Sequence, residues 1–280
     1  IPPKEIPAFT YSAAGAIRTS QKTTLLDGKT LGEDDVFLFQ NVGTGTPTYA
    51  NNKVTLAVTP GQYLIRQTKR YYPYFSGKPQ SIEFTMDGFG HEVGSFKRSG
   101  YFSSNAVAPY DSSLDGFFIE KQEDGTFIFK AYRFGTETMS VLFTDFDNWD
   151  LISGIDFNNF NIFNIDFLWL GGSSVRIFMK LDTGFELIHE EPWASHQTDT
   201  FIGSPNQPLR QEIRSSSGAG SMRIICSEIS TEGSINESGK PIAIFDATGI
   251  TCNSVGTIYA LKSVKKQDVF RDTAIRIIDM

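Results

Sequence analysis

The chain has 280 residues, 13% of them aromatic and 20% charged, with a formal net charge of −7. That balance excludes disorder and coiled coil, and it argues against general nucleic-acid binding, which needs Lys and Arg to displace counterions from phosphate. No apolar run approaches the roughly 18 residues that span a bilayer, and the two cysteines, Cys226 and Cys252, make neither a disulfide framework nor a zinc site.

Residues 1–50 have little periodicity. Three prolines among the first seven residues favour an extended arm, because Pro fixes φ and donates no hydrogen bond. IPPKEIPAFT has no apolar core and is not read as a secretory signal. The lack of an initiator Met leaves open a processed chain or a segment of a longer one. Val36, Leu38 and Gln40 hint at a strand, and Gly43 to Gly45 reads as a turn: Pro47 follows and no Lys-Ser/Thr pair completes a phosphate loop.

Regular alternation begins after Asn52. Val54, Leu56 and Val58 share one face, Pro60 and Gly61 break the run, and Tyr63 and Ile65 resume it. Near them lie Arg66, Lys69, Arg70 and Lys78, interleaved with Tyr71, Tyr72 and Tyr74. Arg66, Lys69, Arg70 and Tyr72 are therefore candidate contacts for a partner, although Lys on a solvated strand edge serves equally to block unwanted pairing. Residues 81–90 return to strand. Glu123, Asp124 and Gly125, set between Phe117–Glu120 and Phe127–Phe129, give a strong hairpin signal. Residues 133–143 add a strand, and 144–160 read as loop with a short helical turn near Trp149.

The clearest strand signal runs from Trp149 to His189. Phe163, Ile165, Phe167 and Trp169 alternate, then Val175, Ile177, Met179 and Leu181, then Phe185, Leu187 and His189. Beyond residue 200 the chain is punctuated by Pro205, Pro208 and a Ser/Gly run at 215–220. Met222, Ile224 and Cys226 form a further strand, and 242–278 hold closing strands. Both cysteines fall in strand-like runs, and the sequence does not decide whether they pair. This adds up to twelve to fourteen strands, spaced as an all-β, jelly-roll or concanavalin-like antiparallel sandwich requires. The expected organisation is an extended arm over 1–50, a main sandwich over 51–215, and strands over 216–280 that complete it or lead into a further domain.

Catalytic motifs are weak. Asp182, Thr183 and Gly184 match the Asp-Thr-Gly of aspartic proteases, but an equivalent second loop is missing, since 246–249 carries an extra Ala. Asp-x-Gly between alternating strands is a hairpin turn. Glycoside hydrolysis needs two facing carboxyls, whereas Glu186 and Glu190 share the solvated face of a strand. Asp145, Asp147 and Asp150 lack the Gly and terminal Glu of a calcium loop, and the three His show no metal-ligand spacing. The residues thus point to no catalytic group, cofactor or metal, and to a chain that is not an enzyme. Trp193, in the polar stretch EEPWASHQTD, is the aromatic residue best placed to stack on a sugar; a packed loop anchor is the other reading.

The central stretch resembles a run found in uncharacterised virion structural proteins of tailed phages, which reads approximately Trp-Asn-Leu-Asp…Gly, then Ile-Asp-Phe-Gln-Trp-Leu-Gly…Val-Arg. The matching positions are Trp149, Leu151, Gly154, Ile165, Asp166, Phe167, Trp169, Leu170, Gly171, Val175 and Arg176. Residues 71–89, 100–125 (a Gly-Tyr-Phe…Gly-x-x-Phe hairpin), 206–215 (Asn-x-Pro-Leu-Arg-x-Glu-Ile) and 226–233 resemble further segments in the right order. Gly171 to Ser174 is longer than the family's loop, and Phe178 to Lys180 replaces a Gly-Phe. The resemblance implies a β-sandwich particle component without catalytic residues, in the head, neck, tail or a fibre attachment. Its implied partners are other virion proteins and copies of itself, with assembly in the host cytoplasm. The alternative is a carbohydrate-binding adsorption module that contacts a host surface glycan.

Overall fold

A computed structural model describes residues 18, 21–90, 93–169, 174–194, 196 and 198–233. These belong to the first of two compact units of the chain. The strands expected over 242–278, and Cys252, lie outside the described residues.

Fifteen strands are described: β1 Lys22–Lys29, β2 Phe37–Val42, β3 Thr48–Ala50, β4 Lys53–Val58, β5 Tyr63–Thr68, β6 Gln80–Asp87, β7 Ser95–Ser103, β8 Asp115–Lys121, β9 Phe127–Arg133, β10 Thr136–Leu142, β11 Asn161–Phe167, β12 Ser174–Leu181, β13 Gly184–Pro192, β14 Leu209–Ser215 and β15 Gly220–Glu232. They form two antiparallel sheets. The first runs β13-β12-β11-β6-β15-β4-β3, with β1 also paired to β15; the second runs β10-β9-β8-β7-β14-β5-β2. This is the expected jelly-roll or concanavalin-like sandwich.

The core is set by alternation. Phe84, Phe163, Ile165, Phe167 and Ile177 point inward from the first sheet, and Tyr101, Phe117, Ile119, Phe129 and Ile213 from the second, all of them fully buried. Phe167 is the contact point between layers, with its ring 4.9 Å from Phe117, 5.7 Å from Tyr74 and 5.8 Å from Tyr101. Offset and edge-on aromatic pairs of this kind add to plain burial. At one end Asp115 accepts from the backbone of Gly203 and Ser204 (2.6 and 2.9 Å) and from Gln207 (3.0 Å), tying the β13–β14 connection to β8.

Three expectations need correction. An arm over 1–50 does not hold for residues 22–50, because β1 joins the first sheet beside β15 and β2 joins the second beside β5. A bulge between Thr24 and Leu26 breaks the two-residue beat of β1 and hides it from a periodicity reading. In β2 it is Phe37 that faces the core, opposite Thr68, while Leu38 faces outward. In β13 a register shift opposite Ile177 and Phe178 puts Ile188 into the core instead of Leu187. The turns at 123–125 and 182–184 do form the β8–β9 and β12–β13 hairpins, and Trp149–Leu151 is the short helical turn.

Candidate functional site on the outer face of the second sheet

Cross-strand register assembles this site. Glu212 of β14 lies opposite Arg98 of β7, and Arg98 opposite Glu120 of β8, so the three make one row on the face turned away from the core. One residue pair along, Arg210 sits opposite Gly100, and Gly100 opposite Phe118. The row alternates carboxylate, guanidinium, carboxylate. Arg98 Nε donates to Glu120 at 2.8 Å and Nη1 to Glu212 at 2.9 Å. Arg210 Nε donates to the other Glu212 oxygen at 2.7 Å, and its Nη1 to Gln67 at 2.9 Å. Glu120 also receives Lys130 and Gln122, each at 3.2 Å.

Aromatic rings frame the charges. The Arg98 guanidinium lies 4.3 Å from the Phe96 ring and 4.7 Å from the Phe118 ring, and Arg214 takes the other position at Phe96, 4.6 Å away. Phe118 packs on Phe102 at 4.6 Å and stacks on Tyr132 at 5.9 Å. The β7–β8 loop lies over this end: Leu114 packs with Phe102 and Phe118, Asp111 pairs with Arg214, and the Tyr110 carbonyl accepts Arg210 Nη2 at 2.8 Å. The charges are consequently buried, Glu212 and Glu120 at 0% and 1% exposure.

Burial by itself raises a carboxyl, but Arg210 and Arg98 outweigh it and hold Glu212 below its usual range. Burial likewise opposes the charge on Arg98 and Arg210, and Glu212 and its neighbours more than restore it. Burial, then Glu212, push the Tyr63 phenol far above its ordinary value. Tyr132 is raised to about 12 by burial and by Glu137, which its hydroxyl contacts at 2.9 Å. Chemically this is an alternating ladder of acceptors and donors.

Of the residues singled out from sequence, the structure brings Arg70 and Tyr72 together, the guanidinium 5.6 Å from the ring, and does not gather them all into one site. Trp193 is 5% exposed, gives its indole N–H to the Asp199 carbonyl and meets Phe201 edge-on at 5.8 Å. It is a packed anchor, and its expected role in ligand contact is corrected. Arg66 and Tyr72 are buried as well. Arg66 points inward from β5, stacks 3.3 Å from the Phe37 ring, donates to Gln211 at 2.7 Å, and is pulled down to about 10 by burial. Lys69 and Arg70 are exposed, Lys69 near Asp35 at 3.8 Å. The patch fails as a unit because Leu64, Arg66 and Thr68 take the inward face of β5 while Lys69 and Arg70 lie past its end.

Sequence reasoning missed the Glu120–Arg98–Glu212 row. The three residues come from strands far apart in the chain, and only the order β8-β7-β14 makes them neighbours. Arg-x-Glu at 210–212 was the one local signal, two like-facing charges on a strand.

No family model matches the chain, and no curated protein matches it. Among solved structures it is similar to a native glycosidic hydrolase, at TM-score 0.51 and 11% identity over 76% of this chain and 97% of that one. A Bacillus licheniformis β-glucanase follows at TM-score 0.49 and 11% identity, covering 78% of this chain and 100% of that one. A prokaryotic β-1,3-1,4-glucanase gives TM-score 0.48 and 9% identity, covering 73% and 97%. The expectation of a chain that is not an enzyme is thereby overturned: its sandwich is one on which a glycosidic hydrolase is also built.

Proposed function

We propose that the chain is a structural component of a tailed-phage particle, assembled through protein–protein contacts with other virion proteins and with copies of itself. One observation supports this reading: several of the positions that resemble the virion proteins, Ile165, Asp166, Phe167, Val175 and Arg176, are buried on the paired strands β11 and β12. Asp166 and Arg176 are direct cross-strand partners on β11 and β12 with an ion pair of 2.5 Å, and Arg210 and Glu212 anchor the buried row. Gly100 and Gly116 each sit opposite an aromatic residue across β7 and β8. Purified particles should contain the chain, by mass spectrometry, in fixed ratio to the known structural proteins. Its absence from particles, or recovery only in the lysate, overturns the reading.

A second reading is favoured by the two carboxylates that share Arg98. Glycosidic cleavage uses a pair of carboxyls flanking the bond, and Glu120 and Glu212 flank one guanidinium, at 2.8 and 2.9 Å. Catalysis would need a sugar to displace Arg98, with the depressed Glu212 as the ionised member. The test is release of reducing ends from β-1,3-1,4-glucan by the wild-type chain, abolished in Glu120→Gln and Glu212→Gln. No release by the wild type, or release unchanged in both variants, ends this reading.

A further inference from the structure

An edge strand exposes backbone donors and acceptors and invites pairing, so folded chains shield their edges with charge, bulges, shortness or a cover. Four sheet ends among the described residues are shielded in these ways. On β13, the Asn148 N–H and side-chain amide bond the Ile188 and Leu187 carbonyls (3.1 and 2.9 Å), and Asp147 takes the Glu190 N–H at 2.9 Å. β10 is bulged between Glu137 and Met139, and its Thr138 hydroxyl is tied to the Phe201 carbonyl at 2.6 Å. β1 is bulged and carries Lys22, Asp27 and Lys29, and β3 has three residues.

Among the described residues β2 has none of these devices, apart from the Asp34 carbonyl that takes its first N–H, at Phe37, at 3.0 Å. Its sequence, FLFQNV, is uncharged and rich in strand formers, and its register with β5 is unbroken from Phe37 to Val42. It ends the second sheet, and its side away from β5 has no sheet partner among the described residues. We infer that β2 is the assembly edge of this chain, and that its occupant is the β2 of a second copy in an antiparallel pair about a two-fold axis at Gln40.

That axis is chosen by complementarity. In an antiparallel pair, opposed residues lie on the same face. A two-fold at Gln40 sets Leu38 against Val42 of the second copy on the outer face, at both ends of a Gln40–Gln40 contact, and Phe39 against Asn41. Leu38, Gln40 and Val42 are half-buried in the single chain, with apolar surface left to cover. The acidic run Glu33, Asp34, Asp35 falls opposite 45–47, which is Gly-Thr-Pro, so no like charges meet. An isologous interface of this kind closes on itself, as most homo-oligomers do, and joins two second sheets into one.

The inference rests on the assembly reading for its purpose, but its test does not. In a Cys226→Ser/Cys252→Ser background, Gln40→Cys should crosslink into a covalent dimer on mild oxidation, because residues opposed at the axis have Cβ atoms about 4.5–5.5 Å apart. Lys29→Cys in the same background should stay uncrosslinked. By light scattering the full wild-type chain should have twice its single-chain mass. Gln40→Lys sets two like charges face to face and should halve that mass, with an unchanged circular-dichroism spectrum. A wild-type chain of single mass at every concentration overturns the inference, as does a dimer indifferent to Gln40→Lys. A dimer of the predicted kind in a protein absent from particles keeps the inference and removes the virion reading.

Discussion

Replacing Glu212 by Ala should lower the unfolding free energy by about 3–5 kcal/mol, the usual result of removing one partner from a buried ion pair. Glu212 is completely buried and is the carboxylate that Arg98 and Arg210 share. Without it, Arg210 retains neutral partners such as the Gln67 and Tyr110 oxygens, and two buried guanidinium groups repel each other. Denaturant titration measures the effect, and a loss below about 1 kcal/mol, the level of a surface pair, would show that water reaches the row. Double replacement separates desolvation from attraction: Glu212→Leu with Arg210→Met should be milder than Glu212→Ala alone, since neither leaves a charge unpaired.

The same residue fixes the pH response. The Glu212 carboxyl lies lower in the folded chain than in the unfolded one, so the stability it contributes is complete above the ordinary carboxylate range. That contribution is lost as pH falls through the lowered folded value. Glu83 has the opposite sign. Burial raises it, so its contribution is present below the ordinary range and is lost as pH rises through the raised folded value. Urea midpoints should therefore improve slightly on mild acidification and fall steeply only at lower pH. In Glu212→Ala the steep acid limb should flatten, because its main titrating group is gone.

Much of the fold is legible in the sequence wherever alternation is unbroken. β4, β11 and β12 follow Val54-Leu56-Val58, Phe163-Ile165-Phe167 and Val175-Ile177-Met179, and the same residues are buried in the core. Legibility fails at bulges. One bulged residue reverses the facing of everything after it, which is how Ile188 replaced Leu187 and how β1 passed for an arm. It fails again where a charged side chain points inward. Arg66 stands in an alternating strand whose inward positions are otherwise ordinary, and nothing local reveals that Phe37 and Gln211 will take it in. The site was the least legible part, because its three residues are joined by sheet order alone, and sheet order is a long-range property.

Gly116→Ala is the other large effect, and it shows why the Gly-Tyr-Phe…Gly hairpin is a statement about packing. Gly116 has φ +120°, a conformation other residues rarely adopt, and a Cβ there would stand 2.2 Å from the Tyr101 carbonyl oxygen and 2.5 Å from the Phe102 Cα. Those neighbours are backbone atoms of the paired strand and cannot swing aside. Gly100 has the reciprocal arrangement, with a Cβ meeting the Phe117 carbonyl oxygen at 2.4 Å. Each glycine lies opposite an aromatic residue, Gly100 across from Phe118 and Gly116 across from Phe102, and the two rings close over the gap at 4.6 Å. Strain at the backbone and overpacking each cost about 1–3 kcal/mol, so Gly116→Ala should lose about 3 kcal/mol or more in a denaturant titration. Because β7 and β8 carry Arg98 and Glu120, the substitution should also pry these two apart. The acid limb assigned to Glu212 should remain, since Arg98 and Arg210 reach that carboxylate from β7 and β14. A variant that is destabilised and also loses the wild-type acid limb would mean that the β7–β8 pairing positions Arg98 for Glu212 as well as for Glu120.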